Sequence, residues 1–392
     1  MLVAGGTYAE RCKYPHWDQL WGSGLRAALA ISSLSPGTEL HTYAAAEWRD
    51  DIRASLEAFG VRGVLTPVEQ GVSFDYLNPF YLLQHNGPSS AYLPPLVVEG
   101  AAVLRFGMVE GHAKVSGKRV VYDPQSPVVY DPQSKSSGDF AKNGSTAGDL
   151  ALILAHHDLL HEDWREKYDT RDAAVRERII ELFDSKEGRP RVVILKDGLG
   201  GASVWLGDEA VRIPAYAPET YFRIGSGDVF AAAFARAWAE NGAAPEEAAE
   251  YAARCLAYTV SGPRIPLPSD DGLLPTALAG DQPARVRVLG TDHLEVGALL
   301  LHTSTWLEEL GSAATVEMFE TGSPSKEPAL VHVGMAWDAA AVGSLEESTK
   351  GSAHRVVYWP DAPANAAEWF PGSVVTSDYA TALYRMLRGA VS

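Results

Sequence analysis

Two glycines set one residue apart, Gly225 and Gly227, stand directly before Asp228, and the run Val229-Phe230-Ala231-Ala232-Ala233-Phe234-Ala235 follows. Glycine lets a backbone turn tightly and brings its N–H groups close to a bound group. The apolar run predicts a helix, with Asp228 placed to cap its start. A helix N-terminus carries bare N–H groups and the positive end of the dipole, so it stabilises anions, phosphate above all. A carboxylate beside such a cradle repels phosphate, which makes it a poor choice for simple binding. It makes sense where the carboxylate takes a proton from an attacking hydroxyl while the backbone of Gly225, Ser226 and Gly227 holds the phosphoryl group. A glycine turn with an ordinary N-cap is the plain alternative, and these four residues alone would favour it.

Composition bounds the setting. The chain has 392 residues, 46% apolar and 21% charged, the mix of a globular protein long enough for about two domains. Its net charge of −17 argues against general nucleic-acid binding. A bound nucleotide triphosphate would therefore rely on local backbone dipoles, a few basic residues and metal ions. Cys12 and Cys255 form no metal-like pair and suit a reducing, cytoplasmic setting. The start, Met-Leu-Val-Ala-Gly-Gly-Thr, lacks the features of a signal peptide, and no run approaches the length of a membrane span.

The elements that must position the loop read as alternating strands and helices. Leu2–Ala4 is a short buried strand ending at Gly5-Gly6, with Glu10 a few residues on. Gly22 and Gly24 open an Ala-rich helix, and 48–59 is amphipathic, followed by a strand at 61–65. Residues 71–97 are rich in aromatics and proline. Strands follow at 101–106 and 120–125, the second ending in Asp123-Pro124-Gln125; at the carboxyl edge of a parallel sheet such an Asp points into the ligand crevice. The tripeptide recurs at 131–133 as a local echo. Leu150–Leu160 reads as a short helix or the entry to a strand, with Asp158 near its end; His157 and His161 have metal-compatible spacing, with a solvated histidine face as the plainer account. A helix at 171–183 and a β-branched strand at 191–196 lead through Gly198 and Gly201 into a turn. A further helix begins at Pro245 and stops at Gly262-Pro263.

In this order these stretches resemble the ribokinase (PfkB) family of carbohydrate and nucleoside kinases, whose hallmark is D-T-x-G-A-G-D-x-F. Gly225, Gly227, Asp228 and Phe230 match it, while Phe222-Arg223 replaces its Asp-Thr. The resemblance covers about residues 1–280. It implies a ribokinase-like α/β three-layer sandwich with a mostly parallel central sheet and a small β lid. It implies ATP and Mg²⁺ as cofactors, a hydroxymethyl group of a small-molecule sugar or nucleoside as acceptor, and Asp228 as the base. Lys196, Gly198, Gly201 and Arg223 would then bind the cofactor. Glu10 takes the place of an Asp that holds substrate hydroxyls, and Gly22, Gly24 and Asp123 would complete the substrate site. Asp158 would replace a metal-organising Glu, and Arg26 or Ala27 falls where the family has Asn. Neither a nucleic acid nor a membrane is expected as partner, and a homodimer is the expectation because lid strands in that family often pair between subunits.

Residues 284–392 form a second unit, read as a smaller flavodoxin-like α/β domain from strands at 285–289, 329–335 and 355–359 and helices at 297–310 and 377–388. It is similar to nucleoside 2-deoxyribosyltransferases, a resemblance that gives Asp338 with Glu346 or Glu347 as candidate catalytic acids. A solvated helix face is the other account of those acids. The alternative function follows from it: a nucleotide- or nucleoside-binding module whose C-terminal unit acts on N-glycosidic bonds.

Overall fold

The computed structural model describes all residues except 88–92, 126–138, 161–166, 187, 263, 278–282, 291–293, 319–324, 333–338, 350 and 389–392. The strands are β1 (Leu2–Ala4), β2 (Tyr8–Cys12), β3 (Trp17–Leu20), β4 (Glu39–Ala45), β5 (Arg62–Val68), β6 (Val72–Asn78), β7 (Tyr81–Asn86), β8 (Leu96–Phe106), β9 (Ala113–Asp123), β10 (Thr146–Ala155), β11 (Val192–Lys196), β12 (Ala202–Leu206) and β13 (Glu209–Ile213). The C-terminal strands are β14 (Arg285–Gly290), β15 (Ala313–Met318), β16 (Ala329–His332), β17 (Arg355–Tyr358) and β18 (Val374–Thr376).

Nine strands form the large sheet, in the order β13-β12-β11-β10-β9-β8-β1-β4-β5. All pairs from β11 to β5 are parallel, and β12 and β13 add an antiparallel edge. The residue types explain this arrangement. Ala151–Leu154 and Val192–Leu195 are unbroken apolar runs, and a strand covered on both faces has no polar side to show. Alternate residues serve different cores. Ile153 and Ile194 pack with the helices Gly22–Ala30, Ser226–Ala235 and Pro245–Val260, whereas Leu152, Leu154, Val193 and Leu195 pack with Arg171–Phe183. The result is three layers.

Chain order reverses beside β1: β4 and β5 lie on one side, and β8 onward on the other. Ligand crevices open outside the carboxyl ends of strands at such a switch point. Asp123 ends β9, Lys196 ends β11, and Asp158 lies three residues past the end of β10. A separate four-stranded sheet has the order β3-β2-β6-β7, with β2 and β6 parallel and the outer pairs antiparallel.

The C-terminal sheet is separate and wholly parallel, in the order β15-β14-β16-β17-β18. Val286, Val288, Leu330 and Val356 face one core, and Leu289, Val331 and Val357 the other. The first of these cores also takes in Phe80, Leu199, Tyr221 and Val260, so it is shared with the large-sheet unit.

Several sequence expectations shift. The stretch at 150–160 is mainly strand, β10, followed by the helical turn His156–Leu159. Strands β8 and β9 begin earlier than their apolar cores suggested, at Leu96 and Ala113. β15 and β18 add two strands to the three read from sequence. The echo at 131–133, His161 and Asp338 lie outside the described residues. Among the described residues, no helix is long and apolar enough to cross a membrane.

Candidate active site

A cavity of about 1240 Å³ opens at the carboxyl edge of the large sheet. Its lining brings together Glu10, Asp123, Asp158, Lys196, Gly198, Gly201, Arg223 and the loop Gly225-Ser226-Gly227-Asp228. These residues are scattered over more than half the sequence, and the strand ends and one helix start collect them. Gly22 and Gly24 do not line the cavity, although their neighbours Ser23 and Arg26 do. Their place is in the packing: a Cβ on Gly24 would lie 2.5 Å from the Gly5 carbonyl carbon, so only glycine lets this helix come so close to the backbone just past β1.

The helix starts at Ser226, with Gly225 as its N-cap at φ +75°. Asp228 lies inside the first turn and makes no capping bond. This corrects the expectation of an N-cap. Its carboxylate, 6% exposed, is drawn off by tertiary partners: Arg26 Nη1 donates to Oδ2 at 2.7 Å, and Gln125 Nε2 donates to Oδ1 at 2.7 Å. A second lone pair on each oxygen is left to accept from an incoming hydroxyl. A side chain at 225 would also strike Arg26, whose Cζ lies 2.1 Å from a Cβ built there.

One of the three backbone N–H groups expected to hold an anion is already engaged. The Ser226 N–H donates to the Arg223 carbonyl at 3.0 Å and is engaged in the turn. Among the described residues, the N–H groups of Gly225 and Gly227 have no acceptor. Lys196 adds a cation on the same spot, its Nζ 3.2 Å from a Cβ built on Gly227.

Arg26 is the feature the sequence did not foretell. It is buried and bridges two acids, pairing with both Glu10 oxygens and with Asp228. Burial alone would lower its pKa, but Glu10 and then Asp228 hold it above the ordinary guanidinium value. Glu10 also accepts from the Gly22 N–H at 3.0 Å. The carboxylate expected to hold substrate hydroxyls is thus committed to Arg26 and to a helix start.

Lys196 Nζ donates to Asp123 Oδ2 at 2.8 Å. Burial pushes the Asp123 carboxyl up to about 6, against the pull of Lys196. Burial opposes the Lys196 charge, yet Asp123, Asp158 and Asp228 together raise its pKa. Among the described residues, Asp123 Oδ1 is buried without a hydrogen-bond partner. Asp158 accepts from the Ala155 N–H at 2.7 Å. Among the described residues, no three His, Cys, Asp or Glu side chains converge as a metal cage. Arg223 sits over the Phe80 ring at 4.5 Å and the Trp306 ring at 5.3 Å, and burial lowers its pKa. Glu346 and Glu347 are exposed, and neither lines this cavity.

One titratable group beside the cavity had no sequence signal. Glu110 lies 2% exposed in the loop between β8 and β9, and burial pushes its carboxyl up to about 7. The folded state therefore keeps a proton that the unfolded chain releases from about 4.5 upward. This group's contribution to stability falls as pH rises from about 4.5 to about 7 and is then level. Glu110→Gln should flatten that slope and raise the melting temperature at pH 8 more than at pH 5. Parallel melting curves for the variant and the wild type across this range would refute the assignment.

Part of the chain is similar to known proteins. Residues 139–269 match the family model of the pfkB family carbohydrate kinase. That segment carries Lys196, the Gly198–Gly201 turn and the Gly225–Asp228 loop. Among solved structures, it is similar to the ribokinase of Thermotoga maritima, at 16% identity over 68% of this chain and 95% of that one, with a TM-score of 0.47. It is similar to phosphofructokinase-2 of Escherichia coli in complex with fructose-6-phosphate, at 12% identity over 66% and 93%, TM-score 0.45. It is also similar to a pyrophosphate-dependent kinase in the ribokinase family complexed with a pyrophosphate analog and myo-inositol, at 15% identity over 68% and 97%, TM-score 0.43. No curated protein matches the chain significantly.

Proposed function

We propose that the protein transfers the γ-phosphoryl group of ATP to a hydroxymethyl group of a sugar or nucleoside. One observation carries this reading: Asp228, Lys196 and the open N–H groups of Gly225 and Gly227 meet at the start of one helix, inside one cavity. The acceptor oxygen attacks the γ-phosphorus, forming the new P–O bond. The bond to the β-phosphate oxygen breaks, and ADP leaves with the electron pair. The hydroxyl proton passes to Asp228 as attack proceeds. The N–H groups of Gly225 and Gly227 and the ammonium of Lys196 stabilise charge on the phosphoryl oxygens. Arg223, held on two aromatic faces, is the further cation for the phosphates.

Magnesium fits the residues present. It prefers oxygen ligands and is usually held by one or two carboxylates together with substrate phosphates. Asp158 and the unpartnered oxygen of Asp123 supply such carboxylates at the sheet edge. They would hold an ion that offsets the charge of the phosphates and of the acids around them.

The test is donor-to-product turnover with magnesium, using ATP and, separately, pyrophosphate against a panel of pentoses, hexoses and nucleosides. Acceptor-dependent ADP release is the expected result. Turnover with pyrophosphate alone would keep the kinase and replace the donor. No turnover with either donor would overturn the reading.

A further inference from the structure

The cavity continues past the phosphate-binding groups into an apolar compartment. On one side stand Leu199, Tyr221 and Val260 of the large-sheet unit, and on the other Trp306, Leu310 and Tyr384 of the C-terminal unit. The two sides are fastened together. The Tyr221 N–H donates to Thr381 Oγ1 at 2.8 Å, and the Tyr221 and Tyr384 rings stack with centroids 5.6 Å apart and an interplanar angle of 13°. Arg388 donates to the Leu199 carbonyl, next to the Gly198–Gly201 turn. Leu310 approaches the same turn, within 3.5 Å of a Cβ built on Gly198. Trp306 also packs on Phe80 at the turn between β6 and β7, so the four-stranded sheet touches this wall too.

Tyr384 supplies the decisive detail. Its side chain is fully buried and lines the cavity, yet among the described residues its hydroxyl has no hydrogen-bond partner. A buried hydroxyl left unpaired costs stability in the empty protein, and such groups are ordinarily matched. Its natural match is a polar group of a ligand in the compartment. Aromatic and aliphatic walls with a few polar groups, the Tyr384 hydroxyl and the Glu309 carboxylate among them, suit the flat, partly polar surface of a nucleobase and its ribose. An inorganic donor such as pyrophosphate has no apolar surface to place there.

We propose that the C-terminal unit forms one wall of the donor subsite, with Trp306, Leu310 and Tyr384 binding the nucleoside part of a nucleoside triphosphate. The unit is then part of the donor site and need not carry a separate activity. This rests on the kinase reading for its chemistry, but the binding it describes is measurable without turnover.

The experiment is calorimetric titration of the full chain with ATP and magnesium, without acceptor, for the wild type, Tyr384→Phe and Leu310→Ala. Tyr384→Phe removes only the unpaired hydroxyl. It should leave the melting temperature of the empty protein unchanged or higher while weakening ATP binding by about 5-fold, the order expected for one hydrogen bond. Leu310→Ala should weaken ATP binding as well, and in turnover both variants should raise the KM for ATP and leave the acceptor KM alone. ATP binding within twofold of the wild type in both variants would overturn the proposal, as would a wild type that binds pyrophosphate and not ATP. The kinase reading fails separately, through absence of turnover or through an Asp228 variant that keeps it.

Discussion

Asp228→Asn is expected to lower kcat by about 10³-fold, within the range of 10²–10⁴ ascribed to a positioned general base. That corresponds to about 4 kcal/mol of transition-state stabilisation at 1.36 kcal/mol per tenfold. Asn keeps the shape and can still accept from Gln125 or Arg26 through its one carbonyl oxygen. It cannot take a proton from the acceptor hydroxyl. Arg26 keeps its partner in Glu10, so the substitution does not strand a buried cation. The loss should therefore fall on kcat, with the KM for either substrate changed only a few-fold and the melting temperature close to that of the wild type. A residue with only a structural role would give the opposite pattern, a lower melting temperature with kcat retained. A variant that keeps more than a tenth of wild-type kcat would remove Asp228 from the role of base.

Much of the scaffold around Asp228 was legible because its signals are local. The apolar run ending at Lys196 and the amphipathic stretch Arg171–Phe183 gave their elements almost to the residue, since periodicity and breakers act within a few positions. β8 and β9 were read too short because their first halves alternate with Glu99, Gly100, Lys114 and Gly117, which weakens the apolar signal. β15 and β18 were missed because their residues are only partly buried, so their sequence shows little apolar contrast.

The site divides along the same line. Gly225, Gly227 and Asp228 are contiguous and were found together. The capping role assigned to Asp228 failed because a guanidinium 202 positions away competes better for a carboxylate than a backbone N–H does. The contact itself has no sequence signature. Two departures from the family pattern do carry a trace of it: a longer acid at Glu10 and a cation at Arg26 are a matched pair, and the structure joins them. Tyr384 and Trp306 lay beyond any local signal, because they reach the cavity only through the packing of the C-terminal unit.

Arg26→Met should be the most destabilising single change at this site. The three charged side chains Glu10, Arg26 and Asp228 are exposed by only 7%, 6% and 8%. Met fills similar volume but leaves two buried carboxylates without their common counter-ion. Breaking a buried pair from one side costs about 3–5 kcal/mol, because the remaining charge stays desolvated. The loss should depend on pH, with a definite sign. Without Arg26, desolvation and mutual repulsion push at least one of the two carboxyls above its unfolded-state pKa. The folded variant then binds more protons than the unfolded one, so its stability falls as pH rises, and its deficit against the wild type is larger at pH 8 than at pH 5. Arg26→Lys keeps the charge but lacks the planar fork that serves Glu10 and Asp228 together, so it should restore only part of the stability. Adding Glu10→Gln to Arg26→Met should recover part of the loss by removing one of the stranded charges. Melting temperatures of the four proteins at the two pH values decide the matter. An Arg26→Met protein as stable as the wild type at pH 8 would show that the three side chains do not form a buried ion cluster.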